Sequence, residues 1–140
     1  MKRTDLAYVA GIVDGEGCID IVSRNRPGHK SPDSTLRVTV VSTDQWLCQM
    51  LRFGFSGAVR ERKVDKSRQM RQWDWRIERG KARDFLKLIL PYLHLKKPQA
   101  ELGIKFQEAK GRSTHGLTDN ERAVEEAQKI LLQTMKRNKV

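Results

Sequence analysis

Apolar residues recur every three to four positions in some stretches of this chain and every second position in others, which divides it into helices and strands. Residues 4–15 carry a helical stripe of Leu6, Val9, Ile12 and Val13, with Thr4 or Asp5 placed to cap it. Ala7 and Gly11 share a second face, with Ala10 beside them. A glycine inside a helix costs about 1 kcal/mol against alanine. Close approach of another helix backbone is the simplest offset. Gly15 and Gly17 are read as the end of the helix.

Residues 18–24 alternate, Ile19 and Ile21 against Asp20 and Val22, and predict a strand. A polar loop with two prolines covers 25–35. A second strand covers 36–42, with Leu36, Val38 and Val40 on one face and Arg37, Thr39 and Val41 on the other. Residues 43–54 predict a helix capped by Thr43 or Asp44, its apolar side formed by Trp46, Leu47, Met50 and Leu51. Residues 57–64 and 70–78 predict a second hairpin around the turn 65–69; Trp73, Trp75 and Ile77 alternate with Gln72, Asp74 and Arg76. A helix follows at 80–90 and stops at Pro91, and another starts near Pro98. The last is expected over 119–137, with Val124, Ala127, Leu131 and Met135 on one side. The order helix–strand–strand–helix–strand–strand–helix, then further helices, predicts an α+β fold. Its four-stranded sheet, antiparallel or mixed, is covered by helices on one face and open and polar on the other. The chain reads as one domain over 1–140, with a core of about 4–110 and a C-terminal helical extension of about 117–138.

Charge gives the open face a purpose. The 140 residues include 28 Lys and Arg against 17 Asp and Glu, a net charge of +11. Such a surplus selects a polyanion, nucleic acid before an anionic membrane. Two-stranded ribbons fit a DNA major groove. RNA-binding sheets stack bases on exposed aromatics, whereas the tryptophans here are read as facing inward, which favours duplex DNA. Cys18 and Cys48 form no CxxC, and His29, His94 and His115 are scattered, so neither a disulfide scaffold nor a Cys/His metal site is expected. The charged N-terminus and its short, interrupted apolar run do not read as a signal peptide, and no membrane-spanning segment is visible. The setting is expected to be reducing and intracellular.

The stretch "GIVDGEG" at 11–17 places Asp14 and Glu16 among three glycines. On the residues alone this is either a helix-to-strand turn or a divalent-metal site. "VAGIVDGEGCI" at 9–19 resembles the signature of the LAGLIDADG homing endonucleases, with Val9 in place of the first leucine and Glu16 in place of the last aspartate. "LPYLHLKKPQAEL" at 90–102 resembles the segment around that family's active-site lysine, and the element order also matches.

The resemblance implies a site-specific double-strand DNA endonuclease of intron or intein homing, with an αββαββα core and its sheet as a saddle over the duplex. It implies Mg²⁺ held by Glu16 with the Gly15 carbonyl, Mn²⁺ substituting, Ca²⁺ binding without supporting cleavage, and no small-molecule cofactor. Lys96 would act at the scissile phosphate, with Lys97 as the adjacent competitor for that role or a simple phosphate contact, and Asp44 (or Thr43) would position solvent. A single signature implies a homodimer through Ala7, Ala10, Gly11 and Asp14, a nearly palindromic target and short 3′ overhangs. Candidate DNA contacts are Asp20, Val22, Arg24, Arg26, Arg37, Thr39, Val41, Arg60, Arg62, Arg68, Gln72 and Arg76, with Lys30 and Lys66 suited to phosphates. The same scaffold could instead serve a non-cleaving DNA-binding protein or an RNA-splicing maturase. A chloroplast, a mitochondrion, a prokaryotic cell or phage-infected cytoplasm would each suit.

Overall fold

A computed structural model describes residues 1–25, 27–28, 32–63, 70–110 and 117–137. Four of the candidate DNA contacts, Arg26, Lys30, Lys66 and Arg68, lie outside the described residues, as does the turn 65–69. The elements run α1 (Arg3–Glu16), β1 (Gly17–Arg24), β2 (Asp33–Ser42), α2 (Gln45–Phe55), β3 (Ala58–Arg62), β4 (Gln72–Glu78), α3 (Arg79–Ile89), a single 3₁₀ turn (Leu90–Tyr92), α4 (Lys97–Lys110) and α5 (Asp119–Arg137).

The sheet is antiparallel at every pairing, in the order β1-β2-β4-β3, which removes the mixed alternative. β2 starts three residues before the alternation predicts, because β1 pairs with it out to Arg24 opposite Asp33. One face is dry: Ile19, Ile21, Leu36, Val38, Val40, Trp75 and Ile77 are buried there. Against it pack Val9, Ala10 and Val13 of α1, Cys48 and Leu51 of α2, Ala82, Phe85, Leu86 and Ile89 of α3, and Ala100, Ile104 and Phe106 of α4. Phe85 is the hub, meeting Trp75 and Phe55 edge-on with centroids 5.1 and 4.8 Å apart. Trp75 also donates its indole N–H to the Ser56 carbonyl at 2.8 Å.

Some local readings shift. Helix α1 begins at Arg3, before Thr4 and Asp5, and the Asp5 carboxylate reaches back to accept the Lys2 N–H at 3.2 Å. Gly15 continues the helix, so only Gly17 ends it. A side chain at Gly17 would place Cβ 2.8 Å from both the Cα and the carbonyl oxygen of Val13, so the direct passage from helix to strand requires glycine. Trp46 is exposed, not on the buried side of α2, and Trp73 is only partly buried.

In α5 the expected apolar side points outward: Val124, Ala127 and Leu131 are exposed, whereas Leu132 is buried. Polar contacts accompany Leu132 on the inward side of the helix. Lys129 bonds Ser23, Lys136 bonds Asp20, and Glu125 pairs with Lys110.

Candidate functional site

The end of α1 is stitched to the turn before α4. The Asp14 carboxylate accepts the Lys96 N–H at 2.9 Å and the His94 N–H at 2.8 Å. In return the Lys96 ammonium, in a residue only 3% exposed, donates to the Asp14 main-chain carbonyl at 2.6 Å. Two short sequence segments eighty residues apart are thus fixed against each other. Asp14 thus makes its hydrogen bonds within its own chain while staying partly exposed.

Glu16 is the last residue of α1, exposed, with no hydrogen bond or ion pair among the described residues. Gly15 is also exposed, and beyond its chain neighbours and its own helix backbone no atom lies within 4 Å of where its Cβ would be. The last carbonyls of a helix lack intrahelical donors. Here that of Val13 takes the Gly17 N–H and that of Asp14 takes Lys96 Nζ, so the Gly15 carbonyl is the next along, beside Glu16. A carboxylate and a carbonyl are hard oxygen donors that fit Mg²⁺, which keeps several waters and takes phosphate oxygens as its remaining ligands. Among the described residues no three His, Cys, Asp or Glu side chains gather as a metal cluster.

Asp44 caps α2, accepting the Trp46 N–H at 2.9 Å, while its own N–H donates to Ser42 Oγ at 3.0 Å. Thr43 next to it is exposed. The cap gives Asp44 a structural task whatever else it does.

The small-residue face of α1 divides in two. Ala7 and Gly11 are exposed, and a Cβ on Gly11 would meet nothing within 4 Å. Ala10 is wholly buried in the chain's own core, so its side chain cannot meet a partner; it leaves the expected interface set. Large apolar groups are also exposed: Tyr8 on α1, and Trp46 and Phe53 on α2. The latter two line an open hollow of about 670 Å³ with Gln49, Met50 and Arg52.

The open sheet face is basic and partly self-paired. Glu78 takes Arg37 at 3.1 Å and Arg24 at 3.3 Å. Arg60 Nε bonds both oxygens of the buried Asp74, at 3.2 and 3.1 Å. Arg76 differs: its Nε is buried and has no hydrogen-bond partner among the described residues. Burial, then the neighbouring Arg37 and Arg60 guanidiniums, lower its pKa below the ordinary arginine value. An anion arriving here would relieve that repulsion. Val22, Thr39 and Val41 sit partly exposed on the same face, as does Gln72, and Arg62 is exposed at the end of β3. Lys97 is exposed at the start of α4. Asp20 also lies on this face but is held by Lys136. Neither Lys136 nor Arg71, which pairs with Glu61 at 2.6 Å, stood out in the sequence; no periodic signal links positions so far apart.

No protein-family model and no curated protein matches this chain. Solved structures do. The homing endonuclease I-CvuI, in complex with the I-CreI target in the presence of magnesium and with the DNA not cleaved, superposes with a TM-score of 0.79 at 20% identity, over 95% of this chain and 82% of that one. The archaeal intron-encoded homing endonuclease I-Vdi141I, complexed with DNA, gives a TM-score of 0.79 at 12% identity, over 94% and 84%. The I-SmaMI LAGLIDADG homing endonuclease bound to cleaved DNA gives 0.66 at 23% identity, over 96% of this chain and 48% of that one.

Proposed function

We propose that this chain, whose fold is that of the LAGLIDADG homing endonucleases, is a magnesium-dependent endonuclease that cuts both strands of a long, nearly palindromic DNA site in the course of intron or intein homing. The observation that carries this reading is the juxtaposition at the end of α1: an exposed Glu16 two residues beyond Asp14, whose carbonyl receives the buried Lys96 ammonium. The basic open face supports the choice of substrate, as do structural neighbours that are complexes with DNA.

In this reading two copies of the chain pair through Ala7 and Gly11 of α1, setting one Glu16 over each strand. Glu16 and the Gly15 carbonyl would hold Mg²⁺, which when bound supplies Lewis acidity at the scissile phosphate and an activated water. Lys96, fixed by Asp14, sets a positive charge where negative charge grows on the phosphate during the displacement. The Asp14 clamp holds Lys96 in place before substrate arrives, so little reorganisation accompanies the reaction. Arginines of the sheet read bases or grip phosphates, and cuts across the minor groove leave short 3′ overhangs.

The test is a supercoiled plasmid carrying the uninterrupted allele of the host gene, incubated with the protein and Mg²⁺, Mn²⁺ or Ca²⁺. Linear product with 3′ overhangs is expected in the first two metals and binding alone in the third. Binding without cutting in every metal would make the chain a DNA-binding protein or a maturase. Failure to bind any duplex would end the nucleic-acid reading.

A further inference from the structure

Helix α5 is tied along the edge strand β1 by its lysines. Lys129 donates to Ser23 Oγ at 3.0 Å; two turns later Lys136 donates to Cys18 Sγ at 3.0 Å and forms a close ion pair with Asp20. Ser23 shares the side of β1 that carries Ile19 and Ile21, whereas Cys18 and Asp20 alternate onto the open face. The Lys136 side chain, from the last turn of α5, therefore reaches round the sheet edge to the face that holds Arg37, Arg60 and Arg76. Asp20 stands opposite Arg37 in the β1–β2 ladder, yet Arg37 is engaged by Glu78. Both Asp20 oxygens are filled from elsewhere, one by Lys136 and the other by the Cys18 thiol at 2.9 Å. Burial, and then the bond to Asp20, push the Cys18 thiol up, which keeps it a protonated donor. Burial alone would lower Lys136, but its bonds to Asp20 and Cys18 prevail and raise it, so it remains charged.

A carboxylate on a face that receives phosphates repels them unless a cation stands beside it. We propose that Lys136 is a positioning residue for DNA binding: by pairing with Asp20 it removes the negative charge of β1 from the binding face and holds the end of α5 at the edge of that face. This rests on the DNA-binding reading above. It predicts that the harm done by losing Lys136 comes from Asp20 and is undone by neutralising Asp20.

The experiment titrates a fluorescent duplex of arbitrary sequence at several salt concentrations, because charge shielding does not depend on a cognate site. Lys136→Met should weaken binding about tenfold at low salt, as for an unmasked like charge at an interface. Lys136→Arg, which keeps the cation, should stay within about twofold of the wild type. Asp20→Asn placed in the Lys136→Met protein should restore affinity to within about threefold, since the pair acts as a unit. Should Lys136→Met shed α5, as seen by a lost melting transition or lost helix content, Lys136→Gln is read in its place.

No rescue by Asp20→Asn would overturn the proposal. A salt slope lower by about one would then make Lys136 itself a phosphate contact; an unchanged slope would make it only an anchor for α5. A wild-type protein that binds no duplex would instead overturn the DNA-binding reading, before any variant is compared.

Discussion

Asp14 and Lys96 hold each other from both ends: the carboxylate of one takes the backbone N–H of the other, and the ammonium of the second takes the carbonyl of the first, at 2.9 and 2.6 Å. A lysine that is 3% exposed pays heavily in desolvation unless its charge has fixed partners, and such burial gives it one orientation.

Replacing Asp14 by Asn should therefore damage position before it damages the fold. Asparagine keeps one acceptor and loses the charge-assisted pair of bonds to the His94 and Lys96 N–H groups. The loss of stability should be about 1–3 kcal/mol, read as a lowered midpoint in urea. The single-turnover cleavage rate should fall while affinity for the site measured in Ca²⁺ stays close to wild type. Lys96→Ala should slow the same step by about 10²–10³-fold if its charge matters chiefly in the transition state. A Lys96→Ala protein whose defect lies wholly in binding would make the lysine an ordinary phosphate contact.

Adjacent positions on α1 should respond in opposite ways. Gly11 faces open space, so Gly11→Leu should leave the isolated chain as stable or up to about 1 kcal/mol more so, through helix propensity. It should nevertheless weaken self-association and cleavage, because a large side chain enters the expected close contact of two helices. Ala10→Leu should do the reverse, overfilling a core with no free space at a cost of about 1–3 kcal/mol. Sedimentation and thermal melts on the two variants separate these effects. A wild-type protein that sediments as a monomer on its DNA would remove the dimer.

The alternation of Leu36, Val38 and Val40 and the spacing of Phe85, Leu86 and Ile89 made the sheet and α3 legible, because in each case the buried face matches the period of the element. The signature at 9–19 and the lysine segment at 90–102 made Glu16 and Lys96 legible as candidates. Their meeting through Asp14 was not, since hydrogen bonds to backbone N–H groups leave no mark on the pattern of side chains. Helix α5 was misread for a related reason. Its apolar stripe predicts one buried face, but Leu132 and the ion pairs to Asp20 and Lys110 lie on a different, inward one, and Val124 and Leu131 are left in solvent. Trp46 misled similarly: an exposed tryptophan and a core tryptophan look alike in a helical period.

The sheet arginines should differ in what their loss costs. Arg76 has a buried Nε without a hydrogen-bond partner among the described residues and neighbours two other guanidiniums. Arg76→Gln should therefore leave the fold intact or slightly firmer while weakening DNA binding. If Arg76 reads a guanine, the loss is about 1–3 kcal/mol and preference relaxes at one base pair of each half-site. If it meets a phosphate, all sequences weaken alike and the salt slope falls by about one. Arg24, which is more exposed and already shared with Glu78, should matter less than Arg76. Equal effects from the two would mean that burial on this face does not select the groups that meet DNA.

Glu16 carries the sharpest prediction. Its carboxylate lies exposed at the end of α1, with no described partner whose loss would perturb the fold. Glu16→Gln keeps the size of the side chain and removes the charge that would hold a divalent cation. The melting temperature should stay within about a degree of the wild type, as expected for a surface change without a partner. Cleavage of the cognate site should vanish in Mg²⁺ at any concentration. Binding to the same site without divalent metal should persist and even tighten, because a carboxylate aimed at phosphates repels them when no cation intervenes. Single-turnover cleavage with metal titrated, and affinity measured separately in Ca²⁺ and in EDTA, resolve the three effects. A Glu16→Gln protein that cuts at the wild-type rate would reduce the acidic residue between Gly15 and Gly17 to a feature of the turn from helix to strand.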